Sequence, residues 1–394
     1  MVWKFHSHSE KFEYLETISL LQSFSMPTRN HWIWRHPRLT IILTIIIVVI
    51  GLDFLLANVA IMLGLYRPQH SIETYYRIRH EAYNHTLAPN IDFSEGRWGG
   101  IGYRLDTNSL GFKDRAARTV PLSTGSYRVL FIGDSFTEGV GIQYTDTFVG
   151  IIHAMLEKRG IETLNAGVIS YSPIIYLRKI QYLLNDVGLE FDHLTVCIDL
   201  SDITDEVDLY KYDEQGNVVL QSPPGLGVAL KHFMTENSIL LSNLRILFRV
   251  IKKSAQKDKE FYDALNRPRN RWSLDDKAFR TYAREGLVKA ARYMDELAEL
   301  LQQRGIALSI VVYPWPDQIY HRVLESKQVA FWKEWTDHHE VQLINLYPTF
   351  IEDREPRAVI KEFYIKGDIH WNKAGHALVA NKILEKLDLP VDPL

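Results

Sequence analysis

The longest run of apolar positions, Leu39 to Leu65, reads LTIILTIIIVVIGLDFLLANVAIMLGL and is interrupted only by Asp53 and Asn58. Ile and Leu fall on every helical face, so no stripe marks one side as core-facing. At about 1.5 Å per residue such a helix rises roughly 40 Å, enough to cross a hydrocarbon layer of about 30 Å. Arg29, Arg35 and Arg38 lie just before it with His31 and His36, whereas Arg67 is the nearest cation after it, followed by Arg77 and Arg79. The positive-inside rule therefore predicts a cytoplasmic tail over 1–38, one transmembrane anchor over 39–65, and an extracytoplasmic remainder on the outer side of the inner (cell) membrane. Trp32, Trp34 and Tyr66 stand at interfacial positions. Two other readings compete. A buried core helix conflicts with the unbroken apolar faces. A signal peptide cleaved near Ala57-Asn58-Val59-Ala60 conflicts with the long polar lead. Asp53 predicts either a polar contact with a partner helix or a place near the outer interface.

Residues 66–125 are polar and rich in Tyr, Asn, Arg and Gly, and read as an extracytoplasmic stem. From 126 to 394 the pattern alternates between short apolar runs and helical periodicity. Arg128–Ile132, Glu162–Asn165, Leu194–Leu200, Ala307–Tyr313 and Val341–Leu346 read as strands. Thr147–Arg159, Ile174–Leu184, Leu287–Gln303 and Ala374–Leu387 read as helices. Such alternation predicts an α/β fold with a parallel five-stranded sheet covered on both faces, its site at the carboxyl ends of the strands. The stretch 203–285 is too long for a simple crossover and reads as an insertion that roofs the site. Within it Asn237–Lys253 predicts an amphipathic helix with Arg245, Arg249, Lys252 and Lys253 clustered. That face is either solvated or laid on a membrane.

The 394 residues carry a net charge of −3, and no basic field points to nucleic acid. The single cysteine, Cys197, excludes an internal disulfide and a cysteine-ligated zinc site. No phosphate-cradling glycine loop and no ligand spacing that demands a metal is present, so neither metal nor cofactor is expected.

Candidate chemistry sits at two strand ends. The first strand runs into Gly133-Asp134-Ser135-Phe136-Thr137-Glu138-Gly139. A serine between strand and helix exposes its hydroxyl at the sheet edge and aims its own N–H at a reacting oxygen, as an acyl-transfer nucleophile requires. A tight turn would use the same letters. Near the C-terminus, Gly367-Asp368-Ile369-His370-Trp371-Asn372 precedes the last helix. His370 can take the Ser135 proton while Asp368 holds the other imidazole nitrogen; a capping role for both is the plainer alternative, and His376 is the plain histidine of this helix. Gly167, in Asn165-Ala166-Gly167-Val168, and Ser201, in Asp199-Leu200-Ser201-Asp202, lie at two further strand ends. Tyr313-Pro314-Trp315-Pro316-Asp317 follows the fourth strand. Trp315 and Trp371 read either as a sugar-stacking wall or as packing. Asp134 and Asp202 flank the site and are expected to contact substrate.

The order of these motifs resembles the SGNH (GDSL-like) hydrolase superfamily over roughly residues 126–390. Thr107-Asn108-Ser109-Leu110-Gly111-Phe112 is similar to the segment before the nucleophile in envelope-polysaccharide members. The resemblance implies a flavodoxin-like three-layer sandwich, with Ser135 as nucleophile and Ser135, Gly167 and Ser201 as oxyanion donors. Two departures stand out. The superfamily usually carries Gly-x-Asn-Asp after the third strand, where this chain has Asp199 and Ser201 in place of Gly and Asn. The Asp368-x-His370 spacing is shorter than the common form and resembles polysaccharide acetylation proteins. The expected function is a serine-dependent esterase or acyltransferase acting on small acyl, notably O-acetyl, groups of an envelope glycan. A non-catalytic glycan-binding or assembly module and a lipid-acting esterase are the alternatives. The expected partners are an acylated glycan, the membrane through one helix, and envelope-biosynthesis proteins.

Overall fold

The computed structural model describes residues 35–65, 75–98, 101–222, 225–227, 230, 233–234, 237–244, 264–265, 267–351 and 354–389. The tail up to residue 34, the aromatics Trp32, Trp34 and Tyr66, and residues 245–253 of the expected basic helix lie outside these. The chain divides into two compact units, Met1–Tyr66 with Asn237–Leu241, and Arg67–Glu236 with Ser242–Leu394.

The first unit holds helix α1, Pro37–Met62, 26 residues long, in which only Ala57 is buried. It is the one helix, among the described residues, long and apolar enough to cross a membrane. Pro37 supplies a fixed φ at the first turn, where its missing N–H costs nothing. Within the unit Asp53 accepts the Leu240 N–H at 3.0 Å and the Ser238 hydroxyl. Ser238 Oγ in turn accepts the Leu241 N–H at 2.9 Å, capping a helical turn. The polar partner expected for Asp53 thus comes from this same chain.

The second unit opens with two small antiparallel sheets. The first pairs β1 (Arg77–His80) with β2 (Asn84–Leu87), and the second joins β3 (Ser94–Trp98), β4 (Ile101–Thr107) and β5 (Lys113–Asp114). There follow β6 (Arg128–Gly133), α2 (Ser135–Glu138), α3 (Phe148–Leu156), β7 (Glu162–Asn165), α4 (Pro173–Tyr182), β8 (His193–Ile198) and α5 (Asp202–Asp208). The hairpin β9 (Tyr210–Tyr212) and β10 (Val218–Leu220) leads into the insertion. The chain then continues through α6 (Arg284–Gln303), β11 (Ala307–Val312), α7 (Lys327–His339), β12 (Gln342–Asn345) and α8 (Lys373–Lys386).

The main sheet has five strands in the order β7-β6-β8-β11-β12, every neighbouring pair parallel. Counted from its first strand this is the 2-1-3-4-5 flavodoxin order. Of the helices that cover the sheet, α3 packs with α8, and α4 packs with α6. Every residue of β6 and β8 is buried, as a sheet covered on both faces requires. The strand order reverses between β6 and β8, so a crevice opens beyond their carboxyl ends. The third strand ends at Ile198, which leaves Asp199 and Leu200 in the turn that faces this crevice.

From Arg67 on, the residues expected as a stem packed onto the main domain lie in the same compact unit as that domain, and they brace the turn after β6. Arg77 on β1 donates two hydrogen bonds, at 2.7 and 2.6 Å, to the fully buried Glu138 carboxylate. Glu138 also accepts the Ile169 N–H at 2.9 Å. Lys113 Nζ, itself buried, donates to the Gly139 and Ile142 carbonyls at 2.8 and 2.6 Å. Burial pulls the Lys113 ammonium down to about 7 against the attraction of Glu138. Removing one partner of a buried ion pair strands the other charge in the interior, typically at about 3–5 kcal/mol. Arg77→Met is therefore expected to lose stability on that scale in urea unfolding followed by tryptophan fluorescence. A loss below about 1 kcal/mol, the range of exposed pairs, would contradict the brace.

Candidate active site

β6 delivers Ser135 to the crevice. Gly133 is required there, because a Cβ at that position would meet Thr137 Oγ1 at 2.1 Å and the Cys197 carbonyl at 2.9 Å. Asp134 caps the short helix α2 by accepting the Phe136 N–H at 2.9 Å. Ser135 is the first helical residue, so its N–H has no acceptor within the helix. Gly139 closes the turn at φ +70°, a left-handed conformation that suits glycine.

Ser135 Oγ lies 2.8 Å from His370 Nε2. His370 Nδ1 lies 2.5 Å from Asp368 Oδ1, which also accepts the His370 N–H at 3.0 Å. With Nδ1–H donating to Asp368, Nε2 is the free base that faces the serine hydroxyl. Ser135 Oγ has a second acceptor, Asp134 Oδ2, at the longer distance of 3.1 Å. Burial, then the neighbouring Asp199, push the Asp134 carboxyl well above its ordinary range and weaken it as an acceptor. Burial alone would raise Asp368 too, but the hydrogen bonds and attraction of His370, with a further bond from Trp98, hold it at about 2. Asp368 is thus ionised at neutral pH.

Sequence reasoning missed Trp98. At the end of β3 it donates Nε1–H to Asp368 Oδ2 at 3.0 Å and sets its ring edge-on to His370 at 4.8 Å. No motif flags it, since it sits in the polar segment expected to be a stem.

A cavity of about 290 Å³ opens over Ser135 and His370. Its wall includes Trp98, Asp134, Ser201, Trp315, Ile369, and Arg267 with Arg269 from the insertion. Ser170, also in the wall, holds a left-handed φ of 60° and has its carbonyl fixed by the Tyr210 hydroxyl at 2.9 Å. Non-glycine residues in that region store roughly 1–3 kcal/mol of strain.

Four expected roles meet a different geometry. Ser201 does line the cavity, yet its hydroxyl and N–H both point to Asp199 Oδ2, at 2.5 and 2.9 Å, instead of into the oxyanion position. The carboxylate of Asp199 captures the donor. The Gly167 N–H is likewise engaged, by Asn165 Oδ1 at 3.1 Å. That leaves the Ser135 N–H as the donor with no acceptor on α2. Asp202 does not contact the cavity: it is buried behind the turn, accepting the Tyr176 hydroxyl at 2.8 Å. Trp371 is core, packed on Phe136 and Tyr313 at 4.7 and 4.8 Å. Trp315 stays at the wall, tied to Asp199 by its Nε1–H at 2.6 Å. His376 is buried against Phe148 and pushed down to about 3 chiefly by burial.

Carboxylate oxygens of Asp134, Asp199 and Asp202 lie within 4.8 Å of one another. Phe136 N–H, Ser201, Trp315 and Tyr176 already occupy oxygens of all three. Burial, then repulsion from the neighbouring acids, pushes the Asp134 and Asp202 carboxyls well upward, which favours their neutral forms.

No protein-family model and no curated protein matches the chain. Solved structures do. The chain is similar to a lipolytic protein of the G-D-S-L family from Veillonella parvula, with 17% identity, TM-score 0.35, and coverage of 66% of this chain and 98% of that one. It is similar to an acetylxylan esterase from Geobacillus stearothermophilus, with 12% identity, TM-score 0.38, and coverage of 68% and 97%. It is also similar to the psychrotrophic esterase EstA from Pseudoalteromonas sp., with 12% identity, TM-score 0.37, and coverage of 66% and 97%.

Two outcomes follow from the site. Trp98→Phe keeps the ring but removes a hydrogen bond to a charged group, worth about 1.5–3 kcal/mol. Ester turnover is expected to show kcat reduced about ten-fold or more; an unchanged kcat would mean that Trp98 only packs. Ser201→Ala is expected to cost less than about ten-fold in kcat/KM, well under the 10²–10³ of a working oxyanion donor. A loss in that higher range would mean that the hydroxyl turns into the site during reaction.

Proposed function

We propose that the chain is a serine-dependent esterase or acyltransferase that acts on small acyl groups, O-acetyl above all, of an envelope or exported glycan. The observation that carries this reading is the hydrogen-bonded chain Ser135–His370–Asp368 opening directly on a small cavity. Ser135 Oγ attacks the ester carbonyl while its proton passes to His370 Nε2. The charge that develops on the carbonyl oxygen meets the Ser135 N–H. Asp368 stabilises the imidazolium. Collapse breaks the ester C–O bond, and His370 returns the proton to the departing sugar oxygen. The acyl group now rests on Ser135. A water or a second sugar hydroxyl, deprotonated by His370, attacks it and frees the serine. Water makes the chain an esterase; a sugar hydroxyl makes it an acyltransferase.

The cavity of about 290 Å³ suits an acetyl group and part of one sugar ring better than a long acyl chain, which argues against a lipid-acting esterase. Helix α1 supports an inner-membrane anchor, and the arginines before it support an extracytoplasmic catalytic unit.

One observation favours a second reading, a glycan-binding module with little turnover: Asp199 holds the Ser201 hydroxyl away from the oxyanion position. The two readings separate on p-nitrophenyl acetate. Ser135→Ala and His370→Ala are each expected to lower kcat by about 10³-fold or more with an unchanged melting profile. Equal turnover in wild type and Ser135→Ala would remove the nucleophile and leave the binding module.

A further inference from the structure

The insertion contributes two arginines to the cavity wall, and they are not equivalent. Arg269 is spent inside the protein: it donates to the buried Asp205 carboxylate and reaches the Ser201 carbonyl at 3.5 Å. Arg267 has no carboxylate partner among the described residues, and its Nε is buried without a hydrogen-bond partner. A buried guanidinium nitrogen left unpaired is costly, so the site is completed by an acceptor that comes from outside. The other charged groups in the wall are already committed. Asp368 is held by His370 and Trp98, and Asp134 by Phe136 and Ser135.

Of the three clustered acids only Asp134 reaches the cavity, beside Ser135. At the wall stands an uncommitted planar cation, with the indole rings of Trp98 and Trp315 in the same cavity. Guanidinium forks match carboxylate and phosphate oxygens, and aromatic walls suit the apolar faces of a sugar ring. An anion drawn to Arg267 leaves the neutral acyl ester to turn toward Ser135.

We propose that Arg267 is a specificity residue that recognises an anionic group, a carboxylate or a phosphate, on the sugar that carries the acyl ester. The preferred substrate is then an acidic glycan. This rests on the esterase reading above for the ester but not for the anion, and the test separates the two.

Full-length protein in detergent is given three mono-O-acetylated methyl glycosides: a glucoside, its glucuronate and its 6-phosphate. Acetate release is followed for wild type, Arg267→Gln and Arg267→Lys. The ratio of kcat/KM for the better anionic sugar over the neutral one is expected to be about ten-fold or more in wild type. That is the ratio for one charge-assisted contact. It is expected to approach one in Arg267→Gln and to recover partly in Arg267→Lys, and to shrink as salt is raised. Which anionic sugar wins identifies the anion. A wild-type ratio near one, or a ratio that survives Arg267→Gln, overturns the proposal. Binding of the non-acetylated methyl glucuronide, glucoside 6-phosphate and glucoside to Ser135→Ala, read by tryptophan fluorescence, gives a second arm that needs no turnover. Tighter binding of an anionic glycoside that vanishes in Ser135→Ala/Arg267→Gln, with no acetate release by wild type, would sustain the anion site and sink the esterase reading. Equal binding of all three would sink the anion site alone.

Discussion

A serine hydroxyl gives up its proton near neutral pH only to a base held in contact with it, and the 2.8 Å approach of His370 Nε2 to Ser135 Oγ supplies that contact. The two residues are far apart in the chain, so the fold's task is to keep both ends fixed. The 2-1-3-4-5 strand order opens a crevice at the carboxyl ends of β6 and β8, and Ser135 follows β6 without a spare residue beyond Asp134. Thr137 fills the space left by the absent side chains of Gly133 and Gly167, which locks the turn. Arg77, Glu138 and Lys113 brace it from the small sheets. On the other side Asp368 fixes the tautomer of His370, and Trp98 fixes Asp368.

The same pocket contains an opposing constraint. The proposed acyl transfer builds negative charge next to Ser135, and the adjacent Asp134 belongs to a cluster of three buried acids. Burial favours the neutral forms of Asp134 and Asp202, which eases part of the conflict. Asp199 takes the Ser201 hydroxyl into its own shell. With the Ser201 hydroxyl held by Asp199 and the Gly167 N–H by Asn165, fewer donors aim at the oxyanion position, and a modest turnover number is the expected consequence for the proposed reaction.

Much of the sheet was legible because buried parallel strands are apolar on both faces, and all five expected strands form, with ends that differ by at most two residues. Ser135, His370 and Asp368 were legible because their chemistry forces a strand-end serine and a late histidine into the same crevice. What stayed hidden depends on side-chain direction. Ser201 reads as an oxyanion donor until Asp199 Oδ2 is seen to accept both its N–H and its hydroxyl. Trp315 and Trp371 look alike in sequence, yet one reaches the cavity and the other packs on Phe136. Trp98, Arg77 and Arg267 belong to segments without periodic pattern, and only the tertiary fold brings them to the site.

The central claim is that His370 activates the hydroxyl at position 135 for attack on a carbonyl-like electrophile. Intact-mass and peptide mass spectrometry after exposure of the folded protein to a fluorophosphonate tests it directly. The account predicts a single adduct on Ser135, formed quickly in wild type and at least about 10²-fold more slowly when His370 is replaced by alanine. No adduct on folded wild type, or one formed equally fast without His370, would contradict it.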